Sequence, residues 1–148
     1  DRYFNGACHW GESFNNGAYP NYGQFNTSEY PVQGDFHLFT LIWTEDSIAM
    51  YLDQDKYPET APYFELSLRG KEVNEPGHYF NHPFYLVLNL SVGGFFPNMP
   101  AAEKYPVLIT ADDPSFRKVT ALPADGTPVK MYVDYIRVYK KTRMIGDL

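Results

Sequence analysis

The sequence is poor in cysteine, in charge and in long apolar runs, and each shortage removes a class of protein. One cysteine in 148 residues, Cys8, rules out an internal disulfide and has no partner at metal-ligand spacing. Twelve Lys and Arg against 18 Asp and Glu give a formal net charge of −6, which argues against nucleic acid as partner. No apolar run approaches the roughly 20 residues that span a bilayer, so no membrane span is expected. No basic segment followed by an apolar one opens the chain, so no signal peptide is read in it. There is no G-x-S-x-G, no P-loop and no G-x-G-x-x-G. The four histidines, His9, His37, His78 and His82, are scattered. His78 and His82 are four apart, but Pro83 follows and Tyr79-Phe80-Asn81 is loop-like, so they make no metal pair. Helical periodicity is missing too, with at most one turn near Ala101 to Tyr105.

What the chain does have is aromatic residues: 13 Tyr, 11 Phe and 2 Trp, or 18% of the total. That many large rings can bury enough surface to offset chain entropy, which argues against disorder. Tyr and Phe enrichment with modest charge suits sheets and surfaces that stack on sugars. The periodicity is that of strands. Phe36 to Trp43 and Ser47 to Asp53 flank the polar Thr44-Glu45-Asp46 and predict a β-hairpin. Further strands are predicted over Phe84 to Leu90, over Met131 to Tyr139 and, more weakly, over Phe4 to Trp10. The prolines fall outside these runs. The expectation is one all-β domain, an antiparallel β-sandwich, with a solvated tail over residues 140–148. Long connections, Glu12 to Asp35 and Phe95 to Lys130, separate few strands, and such loops are usually functional or conceal further elements.

Strand alternation sorts candidate residues by face. Phe84, Leu86, Leu88 and Leu90 form a predicted core face, and Asn89 sits on the opposite, mixed one. An amide there satisfies a neighbouring backbone group or, on a groove floor, donates to and accepts from a hydroxyl. Trp43 shares the face of His37, Phe39 and Leu41 and reads as core or groove. His9 and Trp10 point to opposite faces, which suits a groove-edge strand or a hydrogen-bonded core histidine. Phe95 and Phe96 follow the Gly93-Gly94 pair, where a loop can present rings to a sugar. Acidic pairs such as Asp53 with Asp55 read as solvated or capping turns.

Several segments together resemble glycoside hydrolase family 16, the laminarinase and β-glucanase group. They are Ala7-Cys8-His9-Trp10-Gly11, Asp35-Phe36-His37, Ile42-Trp43-Thr44-Glu45-Asp46 and Tyr51-Leu52-Asp53. Phe84 to Gly94 and Tyr132-Val133-Asp134-Tyr135-Ile136-Arg137-Val138-Tyr139 complete the set, which covers nearly the whole chain to Lys140. The resemblance implies a concanavalin-like jelly roll, of which residues 1–139 would be the C-terminal portion without the N-terminal strands. It implies a secreted or periplasmic retaining hydrolase of O-glycosyl bonds in β-glucan-type polysaccharides, tilted towards β-1,3-glucan. Family members use an E-x-D-x-x-E strand, and these 148 residues contain none. A retaining mechanism needs two carboxyls about 5–5.5 Å apart, so the chain alone is expected to be inactive. The missing half would come from a complementary N-terminal fragment or a second copy of the chain. The alternative is a non-catalytic glycan-binding module.

Position by position, the resemblance implies that His9 projects into the groove beside the absent carboxylates and that Trp43 stacks on a sugar ring; Trp10, next to His9, is counted with them as substrate-binding. Asn89 would bind hydroxyls on the floor, and Phe95 and Phe96 would stand where relatives often carry a tryptophan. Asp134 matches a position that in many members ligates a structural calcium. No cofactor is implied for the chemistry.

Overall fold

The computed structural model describes residues 3–15, 19–32, 34–90, 110, 112–114 and 130–140. The chain divides into two compact units, Asp1–Leu86 and Val87–Leu148.

The first unit is built from two antiparallel sheets. In one, β1 (Tyr3–Asn15) pairs with β2 (Tyr19–Glu29), in register from Tyr3 opposite Glu29 to Trp10 opposite Tyr22. The register shifts between Trp10 and Phe14. Gly11 sits in this irregular stretch at φ 125°, a conformation that side chains with a Cβ resist. The second sheet has the order β3 (Phe39–Trp43), β4 (Ser47–Leu52), β5 (Phe64–Ser67). The β3–β4 hairpin closes at Thr44 to Asp46. Thr44 Oγ1 accepts from the Asp46 and Ser47 amides at 3.2 and 3.0 Å, and the Thr44 amide donates to Ser47 O at 2.9 Å. This is the hairpin that the polar triplet predicts.

The two sheets share one core. Cys8 on β1 is buried with Ile48, Phe64, Leu66, Leu68 and Phe80, and Trp10, Met50 and Tyr63 pack against them. Each buried aliphatic or aromatic side chain of this kind contributes about 1.5–3 kcal/mol relative to full exposure. Gly6 lets the sheets approach closely: a Cβ there would lie 2.5 Å from the Phe64 Cβ. At the edge, side-chain amides of β2 reach backbone carbonyls beside and on β5. Gln24 Nε2 donates to Glu65 O at 2.6 Å and Asn26 Nδ2 to Tyr63 O at 3.1 Å. The chain is thus an all-β, antiparallel fold, and among the described residues its helix is one short turn, α1 (Pro76–Tyr79).

Three expectations are corrected. The Glu12 to Asp35 connection is mostly strand: it holds the end of β1 and all of β2. β5 is a further strand that the aromatic runs do not announce. Residues 84–90 and 131–139, in contrast, belong to no strand, and Leu86, Leu88 and Leu90 are exposed. Alternation selects faces, but a ladder needs a partner, and the described residues offer these segments none. The helical turn expected at 101–105 lies outside the described residues. In the second unit, the Arg137 guanidinium stands over the Tyr135 ring at 4.3 Å from its centroid.

Candidate functional site

Alternation along β1 places His9 and Trp10 on opposite faces, as the sequence predicts. His9 is exposed on the outer face. Trp10 turns inwards, stacks on Tyr22 (centroids 6.3 Å apart, planes 21° apart) and meets Phe80 edge-on at 6.3 Å. Its indole Nε1 donates to Asn74 O at 3.0 Å, a bond between positions 64 residues apart. The contacts continue. Phe80 stacks on Phe84 at 5.8 Å, and Phe84 meets Trp43 edge-on at 5.3 Å. Trp43, Phe84, Phe80, Trp10 and Tyr22 therefore form one ribbon of rings, buried at Phe80 and exposed at both ends. Aromatic pairs at these separations add about 0.5–1.5 kcal/mol each beyond area burial. The ribbon brings two of the sequence-predicted residues, Trp10 and Trp43, into one structure.

At the Tyr22 end the ribbon borders a cleft of about 320 Å³ lined by Glu12, Tyr22, Glu72, Val73, Asn74 and Tyr79. Local structure fixes its far wall. Glu75 accepts from the Glu72 amide through Oε2 at 3.1 Å and donates its own amide to Glu72 O at 2.8 Å, which closes the turn holding Val73 and Asn74. Pro76 opens α1, where a missing N–H costs nothing, and Asn81 Nδ2 donates to Gly77 O at 2.7 Å beyond its end. Tyr79 is carried by that turn. Burial pushes the Tyr79 phenol above its ordinary value, and the neighbouring Glu12 and Tyr22 push it further in the same direction. It stays a neutral phenol, able to donate and accept.

The opposite end of the unit carries a buried ion pair. Asp53, at φ 51° after β4, is 3% exposed, so it is not the solvated turn residue expected from its pairing with Asp55. Its Oδ2 lies 2.7 Å from His37 Nδ1, its Oδ1 accepts from the Leu38 amide at 2.9 Å, and Lys56 Nζ stands 3.8 Å away. Burial pushes the Asp53 carboxyl up, but the Leu38 and His37 hydrogen bonds and the His37 and Lys56 charges outweigh it, and the net displacement is downward. Cys8 is an inert core thiol, pushed up to about 11 by burial.

The other predicted residues fall elsewhere. Asn89 and Asp134 are exposed residues of the second unit, and Phe95 and Phe96 lie outside the described residues. Among the described residues no group of three or more His, Cys, Asp or Glu side chains could hold a metal ion. Asp134 is one exposed carboxylate, and calcium takes roughly 6–8 oxygens, so such a site would need further donors, backbone carbonyls among them. Sequence reasoning misses Glu12, Tyr22, Glu72 and Tyr79, which lie on separate segments and meet only through the fold. The one local signal is that Glu12 and Tyr22 fall in the long polar stretch after Trp10.

The chain is 31% identical over 116 residues to the glucan endo-1,3-beta-glucosidase A1 of Niallia circulans, a match covering 72% of the chain and 12% of that protein. It is 26% identical over 164 residues to the beta-1,3-glucan-binding protein of Penaeus monodon, covering 95% of the chain and 44% of that protein. It is 26% identical over 106 residues to the beta-glucanase of Rhodothermus marinus, covering 72% of the chain and 29% of that protein. The chain thus spans less than half the length of each of these relatives. No protein-family model and no solved structure matches it. The relatives support a glycoside hydrolase family 16-like relationship. Among the described residues, no helix is long and apolar enough to cross a membrane.

Proposed function

We propose that the chain is the glycan-holding part of a secreted or periplasmic β-glucan hydrolase of the retaining kind, whose acidic catalytic strand is not among these residues. The reading is carried by the aromatic ribbon from Trp43 to Tyr22 in a chain whose relatives are named for β-glucans. Rings exposed at both ends of a rigid stack offer flat apolar faces to the C–H faces of glucosyl residues, while their buried middle keeps them oriented. In this reading Trp43 and the Trp10–Tyr22 pair position the polysaccharide; His9 lies on the other face of β1 and takes no part in that ribbon, and Asn89 is proposed separately, within its own unit, as a hydrogen-bonding partner of hydroxyls. Phe95 and Phe96, which lie outside the described residues, are proposed as further rings for the glycan. Asp134 would be one ligand of a structural calcium completed by oxygens outside the described residues. The proton transfers and the nucleophilic attack belong to carboxylates on a segment outside these residues, supplied by a complementary N-terminal fragment.

A second reading, a glycan-binding module without hydrolysis, is favoured by one comparison. One relative, matched over 95% of the chain, is named as a beta-1,3-glucan-binding protein.

Affinity electrophoresis of the 148-residue chain in gels containing laminarin tests both. Retardation by laminarin that Trp43→Ala weakens is expected, and unchanged mobility of the wild type would overturn both readings. Glucan hydrolysis by the chain alone would overturn the placement of the acids elsewhere. Activity that appears only when a fragment carrying E-x-D-x-x-E is added favours the hydrolase over the binding module.

A further inference from the structure

We propose that the cleft between β1, β2 and the 72–79 segment holds one uncharged hexose residue of a glycan and turns away sulfated and uronic-acid glycans. The inference rests on the β-glucan reading and deepens it by naming what the site selects. Its volume, about 320 Å³, falls inside the range of about 300–1,000 Å³ usual for small-molecule sites. A second pocket, about 180 Å³ among Phe4, Tyr30, Tyr57 and Tyr63, falls below that range.

The lining explains the choice of ligand. Tyr22, braced by its stack on Trp10, and Tyr79, held by α1, supply two rings whose hydroxyls donate and accept. Glu12 and Glu72 are acceptors only when ionised, which suits a ligand rich in hydroxyl donors. Two adjacent hydroxyls of a sugar can donate to the two oxygens of one carboxylate. Asn74 O is already engaged by the Trp10 indole, so that wall is shaped by the protein rather than by a ligand. Neither Glu12 nor Glu72 meets a lysine, arginine or histidine within ion-pair distance among the described residues. Among the described residues their charge is uncompensated, and Glu12 pushes the Tyr79 phenol upward, the direction a negative charge beside the cleft gives. A neutral glucosyl residue enters without electrostatic cost. A sulfate or carboxylate brought between the two glutamates meets like charge on both sides. A metal is the poorer occupant, because the described residues provide no group of three acidic or imidazole ligands here.

Calorimetric titration of the full chain with laminaripentaose and with a carrageenan-derived sulfated oligosaccharide of matched length tests the inference. Laminaripentaose is expected to bind with little dependence on salt, and the sulfated oligosaccharide to bind weakly or not at all. The Glu12→Gln/Glu72→Gln double variant changes two exposed side chains without changing their size. It should weaken laminaripentaose several-fold and strengthen the sulfated oligosaccharide by about tenfold or more at low salt. Tyr22→Ala should weaken laminaripentaose as well. Equal binding of both oligosaccharides by the wild type overturns the inference, as does a double variant whose preference matches the wild type. Laminaripentaose binding that Tyr22→Ala leaves intact also overturns it, while the broader β-glucan reading survives. A wild-type chain that binds neither oligosaccharide overturns that reading as well.

Discussion

Asp53 gathers the loop end of the second sheet onto one carboxylate. It holds His37 and the Leu38 amide, its own amide donates to Leu38 O at 2.8 Å, and its carbonyl accepts from the Lys56 and Tyr57 amides at 3.0 and 2.9 Å. Replacing it with asparagine removes the charge that these donors face. The expected loss is about 2 kcal/mol, read as a lower urea midpoint with an unchanged slope. The pH dependence follows from the sign of the displacement. The carboxyl lies below its ordinary 3.8 in the folded chain, so its stabilising contribution is complete above that value. The contribution fades as pH falls from there through the lower folded value, and Asp53→Asn should flatten that acid limb of a midpoint-against-pH series. At Trp10 a smaller effect is expected. Trp10→Phe keeps a ring against Phe80 but leaves Asn74 O without its indole donor, and should cost about 1 kcal/mol in thermal or urea unfolding.

At the scale of elements, what could be read in advance was what local chemistry determines. The β3–β4 hairpin was legible because Thr44 both ends one strand and caps the turn into the next, and because Phe39, Leu41 and Trp43 alternate cleanly. β2 was not legible, since in Tyr19–Glu29 the strand formers Tyr22, Phe25 and Thr27 do not share one alternation and Pro20 and Gly23 interrupt them. Pairing with β1 makes it a strand. β5 is four residues long, and its signal, Phe64, Leu66 and Leu68 on one face, was too short to stand out. The cleft was illegible for a different reason: Glu12, Tyr22, Glu72 and Tyr79 are joined by sheet pairing and by the Trp10–Asn74 bond, neither of which is local. The close approach of β1 to β5 makes a prediction at this scale. Gly6→Val drives a side chain into Phe64 and should destabilise the unit by about 1–3 kcal/mol, seen as a lower thermal midpoint.

For the molecule as a whole, the net charge of −6 and the acidic cleft point the same way, towards neutral polysaccharide and away from polyanions. The three-stranded sheet adds a property of its own. β3 is its outer strand, with no second neighbour among the described residues, and it bears Leu41, Ile42 and Trp43 in exposed positions. These exposed side chains make an apolar patch on which two molecules can associate. Light scattering of concentrated samples should therefore fall when a charge is introduced by Ile42→Lys, while the circular dichroism of the dilute protein stays unchanged. The exposed apolar row on β3 thus makes colloidal behaviour, and with it shelf life and crystallisability, a matter of how crowded the solution is.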